Sequence, residues 1–316
     1  MIRFSADYWA VILGGSSGFG LASAKRLAAS GMSVAIVHRD RRGAMAPIEQ
    51  EFASIRAGGS ELLTFNLDAL SDEGRRSVLD ALAQRMASTP GQARVRLLLH
   101  SIAFGNLKLL APMPQGTPAA LRARASLAAQ LGITEEKLAA ALEGAAAESD
   151  VLAGLAWVPR YDSESLLEEE DFARTIHAMG TSLATWAQDI LARGLFGTDA
   201  RVLGLTSEGN EVALRGYAAV AAAKAALESV SRAMALELAP HGIRSNVLQP
   251  GVTDTPAFRA VPGSVLTRAA ARRRNPFGRM TTPEDVADVV CLMCTDEARW
   301  INGALIRVDG GEHIAG

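Results

Sequence analysis

The stretch Tyr217-Ala-Ala-Val-Ala-Ala-Ala-Lys224 places a phenol seven residues before an ammonium. Seven residues make almost two helical turns. The spacing therefore predicts both side chains on one helix face, about 10 Å apart along the axis. Such a pair can act on one ligand: the ammonium favours phenolate character, and the phenol can hold or protonate a developing oxyanion. A tyrosine and a lysine also share helix faces by chance in many proteins, so the pair gains meaning only from the elements around it.

Those elements alternate. Apolar strand-like runs at Ala10–Leu13, Ser33–Val37, Glu61–Phe65, Val95–Leu99, Arg201–Leu205, Ser245–Leu248 and Ala304–Val308 are separated by helical patterns. The helices are expected at Leu21–Ser30, Arg75–Met86, Phe172–Arg193, Ala218–Leu238 and Pro283–Cys294. This βαβ rhythm predicts an α/β, doubly wound (Rossmann) parallel sheet of about seven strands with helices on both faces. The strands recur through almost the whole length, so residues 1–316 are expected to form one unit with an insertion at about 107–167.

In that insertion Thr117-Pro118 reads as an N-cap with proline at the first helical position, Gly132 as a stop, and Thr134-Glu-Glu as a second start. The expectation is an inserted helical hairpin, either a lid or a surface decoration.

The chain has 316 residues, 49% hydrophobic and 21% charged, enough for a large core. A net charge of -2 gives no reason to expect nucleic acid as a partner. No apolar run approaches the roughly 18 residues of a membrane span. Trp9–Leu13 runs into a glycine loop without a basic leader, so it reads as a strand and not a signal peptide. Cys291 and Cys294 could suggest redox chemistry, but their amphipathic helical setting predicts two buried thiols in a reduced, cytoplasmic protein. The five histidines show no metal-ligand spacing.

Gly14-Gly-Ser-Ser-Gly18-Phe-Gly20 follows the first strand and opens the first helix. Glycines there permit a tight turn and close approach of a pyrophosphate, whose charge suits a helix N-terminus. Gly14, Ser16, Ser17, Gly18, Phe19 and Gly20 are thus candidate dinucleotide contacts. The second strand is followed by His38-Arg39-Asp40-Arg41-Arg42. An NAD site places a carboxylate here, whereas Arg39 suits the 2′-phosphate of NADP(H), with Ser16 or Arg41 assisting and His38 adjoining. NADPH is expected and NADH is the lesser alternative. Asp40 argues the other way, because a one-residue slip would bring it to the ribose.

The Gly14–Gly20 pattern, the loop Pro250-Gly-Val-Thr-Asp-Thr255 and the terminal Val308-Asp-Gly-Gly311 together resemble the short-chain dehydrogenase/reductase family over nearly all of the chain except the insertion. His100-Ser-Ile-Ala-Phe104 and the Tyr217-x6-Lys224 spacing are similar to its enoyl-acyl carrier protein reductases. Ordinary members carry Asn-Asn-Ala-Gly and Tyr-x3-Lys, and their tyrosine position is here Val220. The best-known enoyl reductases have a second tyrosine where this chain has Ser207. A serine-bearing, NADPH-using minority branch is a nearer likeness, which Asn275-Pro-Phe-Gly-Arg-Met280 also resembles.

The resemblance implies that Tyr217, Lys224 and Ser207 are catalytic. It implies that Asn66, Leu67, Ser101, Ile102, Ala103, Pro250, Gly251, Val252 and Thr255 join Lys224 and the glycine loop around the cofactor. The nicotinamide carboxamide would lie against the Val252 backbone, and Thr255 would help with the phosphates. His177 falls at a relay asparagine position; a relay role and a buried structural role are both open. The implied reaction is NADPH-dependent reduction of a trans-2-enoyl thioester in fatty acid biosynthesis. Hydride reaches C3 while the oxygen becoming enolate lies two carbons further on. A three-residue displacement moves the phenol by about 4.5 Å, the scale this requires.

An acidic acyl carrier protein is an expected partner, attracted by Thr267-Arg-Ala-Ala-Ala-Arg272-Arg-Arg274, Arg279, Arg122 and Arg124. A solvated helix face is the plainer alternative. Small residues along Tyr217–Leu227 and the resemblance imply a homotetramer. Two other functions stay open: a reductase of another conjugated carbonyl or polyketide intermediate, and a non-catalytic dinucleotide-binding scaffold.

Overall fold

A computed structural model describes residues 2–88, 92–112, 118–148 and 165–315. Among these, seven parallel strands form one sheet in the order β3-β2-β1-β4-β5-β6-β7. They are β1 Tyr8–Leu13, β2 Ser33–His38, β3 Leu62–Asn66, β4 Arg94–His100, β5 Phe196–Leu205, β6 Ile243–Pro250 and β7 Leu305–Val308. The reversal between β1 and β4 opens a crevice at the carboxyl ends of the strands, where such sheets bind ligands.

Strand periodicity divides the core in two. In β1, Trp9, Val11 and Leu13 enter one apolar cluster with Leu183 and Trp186. Ala10 and Ile12 enter the other, with Leu27, Val286 and Cys291. Burial on both faces explains why these strands read as continuous apolar runs. Cys291 and Cys294 are buried free thiols, and burial pushes Cys294 up to about 12. No described helix is long and apolar enough to cross a membrane.

The helices are α1 Gly18–Ala29, α2 Met45–Ala57, α3 Asp72–Ala87, α4 Pro118–Leu131, α5 Glu135–Glu148, α6 Glu169–Ile176, α7 Ser182–Ala192, α8 Ala218–Glu237, α9 Pro256–Arg259, α10 Ser264–Arg274 and α11 Pro283–Met293. The predicted helix Phe172–Arg193 is interrupted by a π-helical turn at His177–Thr181. Gly180 in that turn lies close against α8: a Cβ on it would stand 2.7 Å from the Ala223 carbonyl. Sequence periodicity did not reveal α2, which buries only Phe52 and Ile55.

The insertion contains the expected hairpin, with Gly132 at φ 66° as its turn and Thr134 Oγ1 accepting from Lys137 N. Thr117 lies outside the described residues. Leu142 of α5 packs with Val265, Leu266 and buried Ala269 of α10.

Candidate active site

Gly216, at φ 71°, turns the chain into α8, and Tyr217 stands at its N-cap. Tyr217 and Lys224 line one cavity of about 450 Å³ at the carboxyl edge of the sheet. Ser207, just beyond β5, lines it too, and Tyr217 Oη donates to Ser207 Oγ at 3.4 Å. Gly209 is required beside the phenol, because a Cβ there would meet the Tyr217 ring at 2.5 Å.

The electrostatics differ from expectation. Lys224 Nζ turns to the Leu205 carbonyl at 2.7 Å. Burial pushes Lys224 down to about 8, partly offset by the Glu228 carboxylate one turn further along α8. Burial raises Tyr217 above its ordinary value, and the Ser207 hydrogen bond only partly counters it. The phenol is therefore held neutral as a proton donor, in place of the anticipated phenolate character.

Val220, where an ordinary tyrosine would fall, is buried and lines the cavity with Met179 and Gly105. His100 ends β4 with its Nε2 2.9 Å from Ser182 Oγ. Burial, reinforced by the Lys224 charge, lowers it to about 3, so it is neutral at physiological pH. His177 is exposed and does not line the cavity, which overturns the expectation of a buried structural role and gives a relay no contact.

Of the glycine loop only Phe19 lines the cavity; Gly14, Ser16, Ser17, Gly18 and Gly20 lie off it. Gly14 has φ 83°, and a Cβ on it would meet the Ser101 carbonyl at 2.6 Å. A Cβ on Gly20 would collide with the Gly14 carbonyl. Ser17 N-caps α1 without a side-chain cap bond, leaving first-turn N–H groups to meet an anion. Phe19, Ser101, Ile102, Ala103, Pro250, Gly251, Val252 and Thr255 line the cavity. Thr255 Oγ1 also accepts from Phe258 N, capping α9, and its methyl adjoins Gly18.

His38, Arg39, Asn66 and Leu67 lie at the ends of β2 and β3, off the cavity. The His38 ring is buried against Phe52, with Nδ1 2.9 Å from Asp40 Oδ2, so it presents no side chain to a ligand. Asp40 is thereby turned back toward the strand, and Asn66 Oδ1 accepts from its N–H. Exposed Arg39 donates to Asp68 Oδ2 at 2.9 Å and lies over the Phe104 ring.

Three charged cavity residues were not recognised as site residues from the sequence: Glu208, Arg274 and Glu312. Arg274 was expected in a surface patch. Instead its Nη2 donates to Glu208 Oε2 at 2.5 Å and Glu312 Oε1 at 2.9 Å. Arg279 is held by Asp285. Glu312 Oε2 accepts from Val252 N at 3.1 Å. Burial pushes the Glu312 carboxyl up, while Arg274 and the Val252 amide draw it back.

A glycine loop opening a helix, a parallel sheet with a switch point and a tyrosine–lysine pair in the crevice define a dinucleotide-dependent α/β oxidoreductase. A family profile described as short chain dehydrogenase matches residues 8–99, and one described as Enoyl-(Acyl carrier protein) reductase matches residues 134–313. The chain belongs to the short-chain dehydrogenase/reductase family, whose members use NAD(P)(H).

The Enoyl-[acyl-carrier-protein] reductase [NADH] of Aquifex aeolicus is 38% identical over 120 residues, 38% of this chain and 44% of that protein. The stretch aligned in sequence thus spans less than half the length of that relative. Cis-4-hydroxycyclohexanecarboxylate dehydrogenase of Sinomonas cyclohexanicum is 32% identical over 183 residues, 56% of this chain and 72% of that one. Among solved structures, the Aquifex aeolicus enoyl reductase superposes with a TM-score of 0.68 at 24% identity, covering 98% of this chain and 97% of that one. A Burkholderia cenocepacia short chain dehydrogenase in complex with NADP gives 0.66 at 23%, covering 97% and 98%. At these identities the superpositions establish the fold.

Proposed function

We propose that the protein is an NADPH-dependent enoyl-thioester reductase. The observation that carries this reading is the displaced phenol: Tyr217 reaches the cavity beside Ser207, while the ordinary position holds the hydrocarbon of Val220. A donor set back from the hydride-accepting carbon suits an oxygen two atoms further on.

The Gly14–Gly20 loop and Thr255 would hold the cofactor phosphates, Lys224 the nicotinamide ribose and Val252 the carboxamide. The cofactor supplies a hydride when bound. Tyr217, kept neutral, would hydrogen-bond the thioester oxygen as negative charge develops, a contribution of about 3 kcal/mol, and C2 of the enolate would then take a proton from solvent. Ser207 orients that phenol. Arg39 would meet the adenosine 2′-phosphate, and Asp40, held by His38, offers no competing carboxylate; both features favour NADPH.

Residues 107–167 are read as an insertion into one Rossmann-type unit 1–316. Its helix α5 braces α10, whose Thr267, Ala270, Ala271 and Arg274 line the cavity, which favours a lid-like role. An acidic carrier at exposed Arg272 and Arg273, a place in fatty acid synthesis, a homotetramer and a cytoplasmic setting complete the proposal.

A second reading, carbonyl reduction or the reverse alcohol oxidation, is favoured by the Ser207–Tyr217 contact. Loss of NADPH absorbance with crotonyl-thioester, but not with a 3-ketoacyl thioester, is the expected result. Oxidation only with the ketoacyl compound overturns the first reading. Inactivity toward both and toward a simple enone favours a scaffold.

A further inference from the structure

Glu208, Arg274 and Glu312 come from three separate segments and meet in the cavity wall. Two carboxylates share one guanidinium, and His313 Nδ1 lies 3.4 Å from Glu208 Oε1. Glu312 is 1% exposed. The turn that carries it is firmly pinned: Asn275 Nδ2 donates to the Asp309 carbonyl at 2.8 Å, and the Asp309 carboxylate accepts from Gly311 N and His313 N, each at 2.9 Å. Gly251 makes room for the carboxylate, since a Cβ there would lie 2.8 Å from Glu312 Oε2. Withdrawing Glu312 would leave the Val252 amide without this acceptor and Arg274 with Glu208 alone, so the carboxylate is a fixed part of the wall.

We propose that Glu312 is an electrostatic partner of the nicotinamide ring, favouring its oxidised form over its reduced form. The inference rests on the reading above, in which the carboxamide meets the backbone of Val252, the residue whose amide Glu312 accepts from. The oxidised ring is cationic and the reduced ring neutral, so a nearby carboxylate discriminates between them, more strongly in a cavity than in water. Lys224 lines the same cavity and its charge opposes this effect, so the part played by Glu312 is read as the difference between the protein and a variant that lacks only this carboxylate. The equilibrium between bound reactants and bound products is thereby shifted toward the oxidised cofactor, at the cost of slower release of that product.

The test is to measure dissociation constants for NADP+ and NADPH separately, by titration calorimetry, on the full-length protein and its Glu312→Gln variant. NADP+ should weaken about five- to tenfold and NADPH less than about twofold. Equal changes in both forms, or none, overturn the proposal and leave the reductase reading intact. Failure of the unaltered protein to bind either form, or NAD+ and NADH in their place, removes both. Glu208→Gln makes the same charge change without touching the Val252 amide, and should shift the ratio in the same direction by less. If Glu312→Gln does not fold, an unchanged ratio in Glu208→Gln overturns the proposal.

Discussion

Two clusters of buried charge sit at opposite ends of the same strands. At the amino ends, Arg96, Arg201 and Arg244 surround Asp199. At the carboxyl ends, Arg274 lies between Glu208 and Glu312. The lower cluster is closed. Arg201 is fully buried and donates to the Met293 and Thr295 carbonyls, while Arg96 donates to that of Cys294. These are terminal carbonyls of α11, which cations stabilise. The upper cluster is open: it faces the cavity, and Arg274 Nε makes no hydrogen bond. Arg96 and Arg201 spend their donors within the fold, whereas Arg274 keeps one unused beside the cavity.

The contrast is sharpest at Arg201. Arg201→Met should destabilise the protein by about 3–5 kcal/mol in denaturant titration, with unchanged turnover per folded molecule. A loss below about 1 kcal/mol would erase the distinction between the clusters. Tyr217→Phe, at the open end, should lower enoyl reduction by about a hundredfold, with melting temperature and NADPH affinity nearly unchanged.

Acid should test the closed end and the core together. His100 titrates near 3 in the fold and at about 6.5 unfolded, so it resists protonation that the unfolded chain accepts. Stability is complete above about 6.5 and lost as pH falls toward 3. Burial works against the charge of Asp199, yet Arg201, Arg96 and Arg244 hold its carboxyl below the ordinary range, which adds stability lost at still lower pH. His100→Asn should reduce the loss between 6.5 and 3 and leave the Asp199 component in place; an identical acid profile would refute that division.

The smallest effect is expected at Lys224. Because its ammonium titrates near 8, kcat/KM should decline as pH rises through that value. Lys224→Arg, though slower, should lose that alkaline limb.

The sheet was legible because both its faces are covered, so every strand reads as a compact apolar run. The glycine loop was legible because backbone crowding at Gly14 and Gly20 admits no side chain. Tyr217 and Lys224 were legible from spacing and Ser207 from the family resemblance, and the three converge on one cavity. Glu208, Arg274 and Glu312 were hidden because their meeting joins segments 38 and 66 residues apart, a distance no local pattern encodes. The π-helical break at His177–Thr181 was hidden because a one-turn change of helix type leaves no mark in the apolar periodicity. Buried Arg201, within β5, was also hidden, because the carbonyls it donates to lie more than ninety residues away at Met293 and Thr295.

The insertion departs and returns through neighbouring backbone positions. Leu109 and Leu166 form a parallel bridge, and Leu167 N donates to the Leu109 carbonyl at 2.9 Å. A segment whose two ends already touch behaves as a cassette: it can be excised and its stumps rejoined by a short link without tearing the sheet, or exchanged for another hairpin. Grafting at this junction would let the outer wall of the pocket be redesigned while the catalytic floor stays as it is.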